Sequence, residues 1–344
     1  HFKQCLDKYG GSYADPDFHN WTYNTDNDWY DLMLRTALIT NHSVSIAGGS
    51  DKTTYSLGGS YLYQDGIMDV DNNYKRLNFR AAVDYNATNW LKVGFNGVFS
   101  QSEQQVPNNA AWQKAFNCPP IVALYDENNS NTFPNKYGSP DVLGYTSNFY
   151  NPIAFAEYFD SKNESYQALT NFYAQVDFIP NKLNLRSNYS YSFLSTQGRE
   201  FTPAYYVSSW QQSATTKLKK SEDKYYNRIW DNTLTYNDQF GKHKVGAMVG
   251  MSMREEQWRN LNGSTSNVPD GEKEYWYIKN GNASGATVGD DGYCYRGLSY
   301  FTRLNYNYAD KYMLVFTMRA DGSSKYQEKW GYFPSIGGAW VISQ

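Results

Sequence analysis

At 344 residues the chain exceeds a typical single domain, and its formal charge of −3 leaves no basic footprint for nucleic acid. Hydrophobic residues make up only 40%, yet 18% are aromatic, including 33 Tyr and 10 Trp; this suits strands wet on one face with rings at membrane interfaces, or an aromatic-rich carbohydrate-binding sandwich. Cys5, Cys118 and Cys294 show no metal-ligand spacing and no disulfide framework, and no run of 18 apolar residues is present to cross a membrane as a helix.

The chain opens at His1 without a signal peptide or initiator Met, so the reading is of a mature chain or a piece of something longer. From His1 to Thr40 it is polar and aromatic. Within that stretch Asp26 to Ala37 predicts a helix, with Trp29, Met33 and Ala37 on one face and Asp26 or Asn27 as cap. Period-two alternation then predicts strands at Ser43–Ala47, Tyr55–Gln64, Arg76–Tyr85 and Trp90–Phe99. In the last of these Leu91, Val93, Phe95 and Phe99 alternate against Lys92, Asn96 and Ser100. A long irregular insertion from Gln101 to about Asn163 holds Pro107, Pro119, Pro120, Pro134, Pro140 and Pro152. Strands resume at Tyr166–Phe178 and Leu183–Phe193, and a large loop spans roughly Ser195 to Ser221. Tyr225–Tyr236 and Lys244–Met253 form a hairpin, followed by a third large loop from about Glu256 to Tyr293. Leu298–Tyr308 and Tyr312–Ala320 are joined by Ala309-Asp310-Lys311, and a loop at Asp321–Trp330 leads to a last strand at Phe333–Ile342.

Eleven strands result, and their connections alternate short and long throughout. The short ones are Gly48–Thr53, Asn86–Asn89, Ile179–Lys182, Asn237–His243 and Ala309–Lys311. A meander whose every second turn is minimal collects its long loops at one end, as an outer-membrane barrel does with short periplasmic turns and long external loops. Strands of about 10 residues match the tilted span of a bilayer. A Greek-key sandwich does not sort its loops this way. The predicted fold class is all-β, an antiparallel transmembrane β-barrel segment.

Catalytic signals are weak. His1, His19, His42 and His243 are scattered, and no nucleophile elbow or phosphate loop occurs. Asp126 to Asn131 carries oxygen ligands at alternate positions but lacks the glycine and terminal bidentate Glu of a calcium loop, so it reads as a solvated loop. The Asn-x-Ser/Thr triplets at Asn20, Asn41, Asn86, Asn163, Asn188, Asn262 and Asn282 reflect composition. The expectation is no enzyme, no cofactor and no metal.

Several segments in order carry a resemblance: Asn41-His42-Ser43-Val44-Ser45-Ile46-Ala47-Gly48-Gly49-Ser50, Tyr61 to Ile67, Asn151-Pro152, Trp230 to Tyr236, and Phe240-Gly241-Lys242-His243. So do Ser299 to Tyr306, Arg319 to Ser324, Gly331 to Ser335, and Ala339 to Ser343. With these the chain after about Asn24 resembles the SusC/RagA family, TonB-dependent transporters of the Bacteroidetes outer membrane. The resemblance implies a closed, plugged, 22-stranded barrel, of which eleven strands are about half the wall. It implies localisation in the outer membrane, a SusD-like surface lipoprotein as lid, energy from the TonB complex, and import of oligosaccharides or peptides. No plug, TonB-box segment or second half of the barrel is found, so the chain reads as a partial segment: residues 1–42 a lead-in, 43–344 barrel.

Aromatics in the long loops are the candidate site. Trp112, Phe116 and Tyr125, then Tyr205, Tyr206 and Trp210, then Trp258, Tyr275, Trp276 and Tyr277 either stack on ligand sugar rings, pack against the lid, or pack the loops together. Arg186, Arg303 and Arg319 face inward, lining the lumen or tying down a plug. Alternatives are a siderophore-type receptor, a passive porin, or a soluble glycan-binding β domain.

Overall fold

A computed structural model describes residues 25–144 and 149–342. They form two compact units. The larger is an antiparallel meander built from β1 (Ile39–Gly49), β2 (Thr53–Asp65), β3 (Asn73–Asn86), β4 (Leu91–Gln105), β5 (Asp160–Ile179) and β6 (Leu183–Thr202). It continues through β9 (Lys217–Phe240), β10 (His243–Ser266), β11 (Thr287–Tyr308), β12 (Tyr312–Ser323) and β13 (Trp330–Trp340). Each strand of this 11-stranded sheet pairs with its neighbour in this order. A two-stranded pair, β7 (Tyr205–Tyr206) and β8 (Gln212–Ser213), belongs to the smaller unit. The short turns stand where alternation put them. Gly241, Ala309 and Asp310 take the left-handed conformation, with φ of 59°, 55° and 54°, as tight hairpins require.

The strands run farther than the sequence suggested. β1 and β13 have 11 residues, but β9 and β10 have 24. The expected loops Ser195–Ser221 and Glu256–Tyr293 therefore shrink to the stretches between Thr202 and Lys217 and between Ser266 and Thr287. Beyond the amphipathic portion these strands are polar on both faces, as in Lys217-Leu218-Lys219-Lys220-Ser221-Glu222-Asp223-Lys224. The alternation signal vanishes there, yet the backbone ladder continues unbroken from Phe240 to Lys217.

Register separates two faces. Val44, Gly59, Phe79, Phe99, Ala168 and Phe193 form one continuous row across β1–β6. Tyr236, Ala247, Leu304, Phe316 and Ile336 form another across β9–β13. Val44 is 78% exposed and Ile336 73%. An apolar face this broad and bare is made for hydrocarbon. The opposite face is a lattice of polar groups. Asn78 donates to Ser60 at 3.0 Å and accepts from Ser100 at 2.9 Å, and Ser190 donates to Asn171 at 3.0 Å. The Arg186 guanidinium lies 4.0 Å over the Tyr173 ring.

The smaller unit gathers residues 25–35, 108–158 and 204–215. The predicted helix at Asp26–Ala37 is one turn long: α1 (Trp29–Met33) is capped by the Asp28 side chain, and Leu34 is already extended. Its Trp29 and Met33 are buried as expected, whereas Ala37 lies outside the helix. α2 (Ala111–Asn117) and α3 (Pro152–Glu157) complete the unit's α-helices among the described residues. The Asn151-Pro152 dipeptide explains itself here. Asn151 Oδ1 accepts from the Ala154 amide, and Pro152 fills the first helical position, which needs no donor. The buried Asn151 amide group also donates to the carbonyls of Leu124 and Gly138, and Gln211 brackets its backbone at 2.8 and 2.9 Å. One asparagine thus ties three chain segments around a core of Tyr137, Ala154, Tyr158 and Val207. Glu157, hydrogen-bonded by Tyr137, has its carboxyl pushed up by burial, with the Asn135 amide opposing.

Of the cysteines, Cys5 lies outside the described residues together with His1, His19 and the rest of residues 1–24. Cys118 is buried, which pushes its thiol up to about 12 and leaves it inert, while Cys294 is free and exposed.

Candidate ligand platform on the polar face

Beyond the amphipathic part of β9, β10 and β11, register stacks three rows on the polar face: Asp223–Asn260–Asp291, Tyr225–Trp258–Tyr293 and Asn227–Glu256–Tyr295. The middle row is a shelf of rings. Trp258 lies 6.2 Å from Tyr225 and 5.7 Å from Tyr293, and Tyr293 stacks on Tyr295 at 4.5 Å. Such cross-strand aromatic pairs stabilise each other by roughly 0.2–1 kcal/mol.

Polar groups hold the shelf in place from both sides. Asp223 Oδ1 accepts from Trp258 Nε1 at 3.2 Å and from Asn260 Nδ2 at 3.0 Å. Glu256 accepts from the Tyr293 hydroxyl at 3.3 Å and from Arg254 at 3.0 Å. Lys325 caps the Tyr295 ring at 4.0 Å. Flat rings bordered by fixed carboxylates and amides offer CH-stacking area together with hydroxyl-binding groups.

A second construction lies on the other face of the same strands. The segment between β10 and β11 folds back over the strand ends, where Phe201, Leu218, Val268 and Trp276 bury one another with Ile278 beside them. Trp276 stacks on Phe201 at 3.6 Å with its ring 14° from parallel. Lys273 at 2.5 Å pins the segment to Asp160, the first residue of β5 and well beyond the apolar band, and Asp160 also pairs with Arg199 of β6 at 2.8 Å. Burial alone pushes the Asp160 carboxyl up, but hydrogen bonds from Lys273 and Arg199 outweigh it and hold the group below the usual carboxylate range.

The predicted aromatics thus fall into separate places. Trp258 stands in a strand, not a loop, and presents its ring on the shelf. Trp276 is 5% exposed and is spent on packing, while Tyr275 and Tyr277 beside it are exposed. In the smaller unit Trp112 stacks on Tyr30, Tyr125 on Tyr137, and Tyr205 on Tyr158, and Tyr206 bridges to Phe133. Phe116 and Trp210 project freely, 76% and 56% exposed. Tyr225 was read as a strand residue, and Tyr293 and Tyr295 stood at or beside the end of an expected loop; none of them was singled out, because only register brings them to Trp258. The Asp126–Asn131 loop spends its oxygens on backbone turns, Asn128 on Asp126 and Asn131 on Asn129, and no cluster of three metal-ligating side chains occurs among the described residues.

No family model matches the chain. It is 28% identical to a TonB-dependent receptor of Formosa agariphila over 93% of its length, and 28% identical to the TonB-dependent receptor SusC of Bacteroides thetaiotaomicron over 94%. It spans about a third of the length of these curated relatives, 32% and 33%. Among solved structures it superposes on the RagAB peptide transporter with a TM-score of 0.72 at 22% identity, over 99% of this chain and 39% of that one. Pseudomonas aeruginosa FpvA superposes less closely, at 0.52 and 12% identity, over 89% of this chain and 40% of that one.

Sheet topology, the bare apolar face and these relatives together define the wall strands of an outer-membrane β-barrel, similar to those of TonB-dependent receptors. Within that class its sequence is similar to SusC and its strands superpose on those of RagAB, in keeping with the resemblance to the SusC/RagA family.

Proposed function

We propose that the protein imports nutrient across the outer membrane in the SusC manner. It is energised through TonB, works with a SusD-like surface lipoprotein, and takes oligosaccharide as its cargo. The aromatic shelf on the polar face carries this reading: Trp258 between Tyr225 and Tyr293, bordered by Asp223, Asn260 and Glu256, combines ring surface with groups that pair to sugar hydroxyls. The free rings of Phe116 and Trp210 are the proposed contacts for the lipoprotein. Likeness to a transporter described as carrying peptides favours peptide as the second reading.

Alanine at Trp258 in the full-length receptor is expected to weaken oligosaccharide binding about 30-fold, since a central interface Trp typically contributes about 2 kcal/mol or more. Calorimetry with oligosaccharides and with peptides of similar mass measures it. Unchanged affinity for both would discard the shelf as the binding surface, and loss of peptide binding alone would replace sugar by peptide.

A further inference from the structure

The apolar face stops abruptly. On β10 its outward residues are Val245, Ala247, Val249, Met251 and Met253, a run matching the tilted span of the hydrocarbon core. The row Trp230–Met253–Leu298 ends this band, and the next outward row is Arg228–Glu255–Arg296.

Glu255 accepts from Arg228 and, at 2.8 Å, from Arg296, so one carboxylate serves two guanidiniums and a positive charge is left over. Arg296 is also the most exposed member, its side chain 73% accessible. Two positions farther out Lys224 and Arg259 stand opposite each other. Lys224 pairs with Glu222 at 2.9 Å, whereas Arg259 meets only the amide oxygen of Gln257 among the described residues. The Arg228 guanidinium sits within 6 Å of the Tyr191 and Tyr226 rings, at 5.9 and 5.8 Å. Amphipathic rings of this kind settle at the membrane–water boundary. The patch is therefore cationic in a chain whose net charge is −3, and it begins one row above the band.

Like charges set opposite each other destabilise a sheet unless an anion lies between them. At this height the available anion is the phosphate of a lipid headgroup, and guanidinium forks match phosphate oxygens in pairs. We propose that Arg228, Arg259 and Arg296 bind the phosphate of an anionic outer-leaflet lipid, fixing a lipid molecule to the outside of β9–β11. The proposal rests on the apolar face being the one that meets lipid, and it is independent of the shelf on the opposite face.

The full-length receptor in detergent, titrated with monophosphorylated lipid A and followed by native mass spectrometry, tests it. The variant R228Q/R259Q/R296Q is expected to lose about tenfold or more in apparent lipid affinity. R303Q/R319Q, which removes arginines from the polar face, is expected to bind like the parent, and millimolar inorganic phosphate is expected not to displace the lipid. Retention by the triple variant, or displacement by inorganic phosphate, overturns the proposal. If only the polar-face variant loses lipid, the assignment of faces is wrong as well. Should the triple variant fail to fold, Arg259→Gln alone breaks no ion pair and is read in its place: a loss of about threefold supports the proposal, and no loss ends it.

Discussion

Arginine in place of Leu304 is expected to lower the unfolding free energy of the full-length barrel by about 2–4 kcal/mol, while arginine in place of Asn305 changes it by less than about 1 kcal/mol. The two positions are adjacent in sequence and opposite in environment. Leu304 sits between Ala247 and Phe316 in an apolar row midway between the Ala309 turn and Arg296, and it is 49% exposed with only lipid to cover it. A charge there must leave water or drag water with it, and the cost is greatest at mid-depth. Asn305 lies between Gly246 and Val315 on the face that already holds Arg303, whose guanidinium donates to Asn305 at 3.1 Å. Denaturant unfolding in phospholipid vesicles measures both. Equal costs at the two sites would show that the faces are not divided between lipid and water.

Alanine in place of Trp276 is expected to release the 267–286 segment while leaving the sheet folded. Truncating a fully buried Trp typically costs about 3–5 kcal/mol. Here the loss falls on a segment held by the Phe201 stack, the Leu218 contact and the Lys273–Asp160 ion pair. Hydrogen exchange should become fast across residues 267–286 and stay slow in β9 and β10. Phenylalanine should hold the segment, because the buried indole Nε1 of Trp276 has no hydrogen-bond partner and its removal relieves an unmet donor. Acid should reach the same end by another route. Asp160 titrates below its unfolded value, so its contribution is present above the ordinary carboxylate range and is lost as pH falls through its lowered value. Protection of the segment is therefore expected to be flat from neutral pH to about pH 5 and to fail only in stronger acid. Asp160→Asn should lose it at every pH. Protection that declines already between pH 7 and 5 would assign the anchoring to another group.

How much of this was readable depended on whether a signal was local. The short turns and the two-faced strands were, because Leu298 to Tyr308 alternates within itself and Ala309-Asp310 can only reverse the chain tightly. The outward extensions of β9 and β10 were not, because two polar faces leave no period to detect. That blindness turned Trp258 into a loop residue, and its meeting with Tyr225 and Tyr293 is set by register, which brings them in from opposite sides of β10. The pairing of Phe201 with Trp276 joins β6 to the distant 267–286 segment, so Trp276 looked as available as Trp258 although one is buried and the other displayed. Asn151-Pro152 was visible as a motif, but its role as the hub of the smaller unit depends on Leu124, Gly138 and Gln211, which only folding assembles around it.

The central claim is that these strands cross the outer membrane with tight turns inside and long connections outside. Single cysteines at Gly271 and Lys242 in the full-length receptor, with Cys5, Cys118 and Cys294 replaced by Ser, test it most directly. Gly271 lies in the 267–286 segment with open space around its Cα, and Lys242 in the tight β9–β10 turn. In intact cells a membrane-impermeant maleimide is expected to label Gly271→Cys and to spare Lys242→Cys, which should react only after the cells are broken. Labelling of Lys242→Cys in intact cells with Gly271→Cys protected would invert the topology, and recovery of the receptor in the aqueous fraction without detergent would contradict a membrane wall altogether.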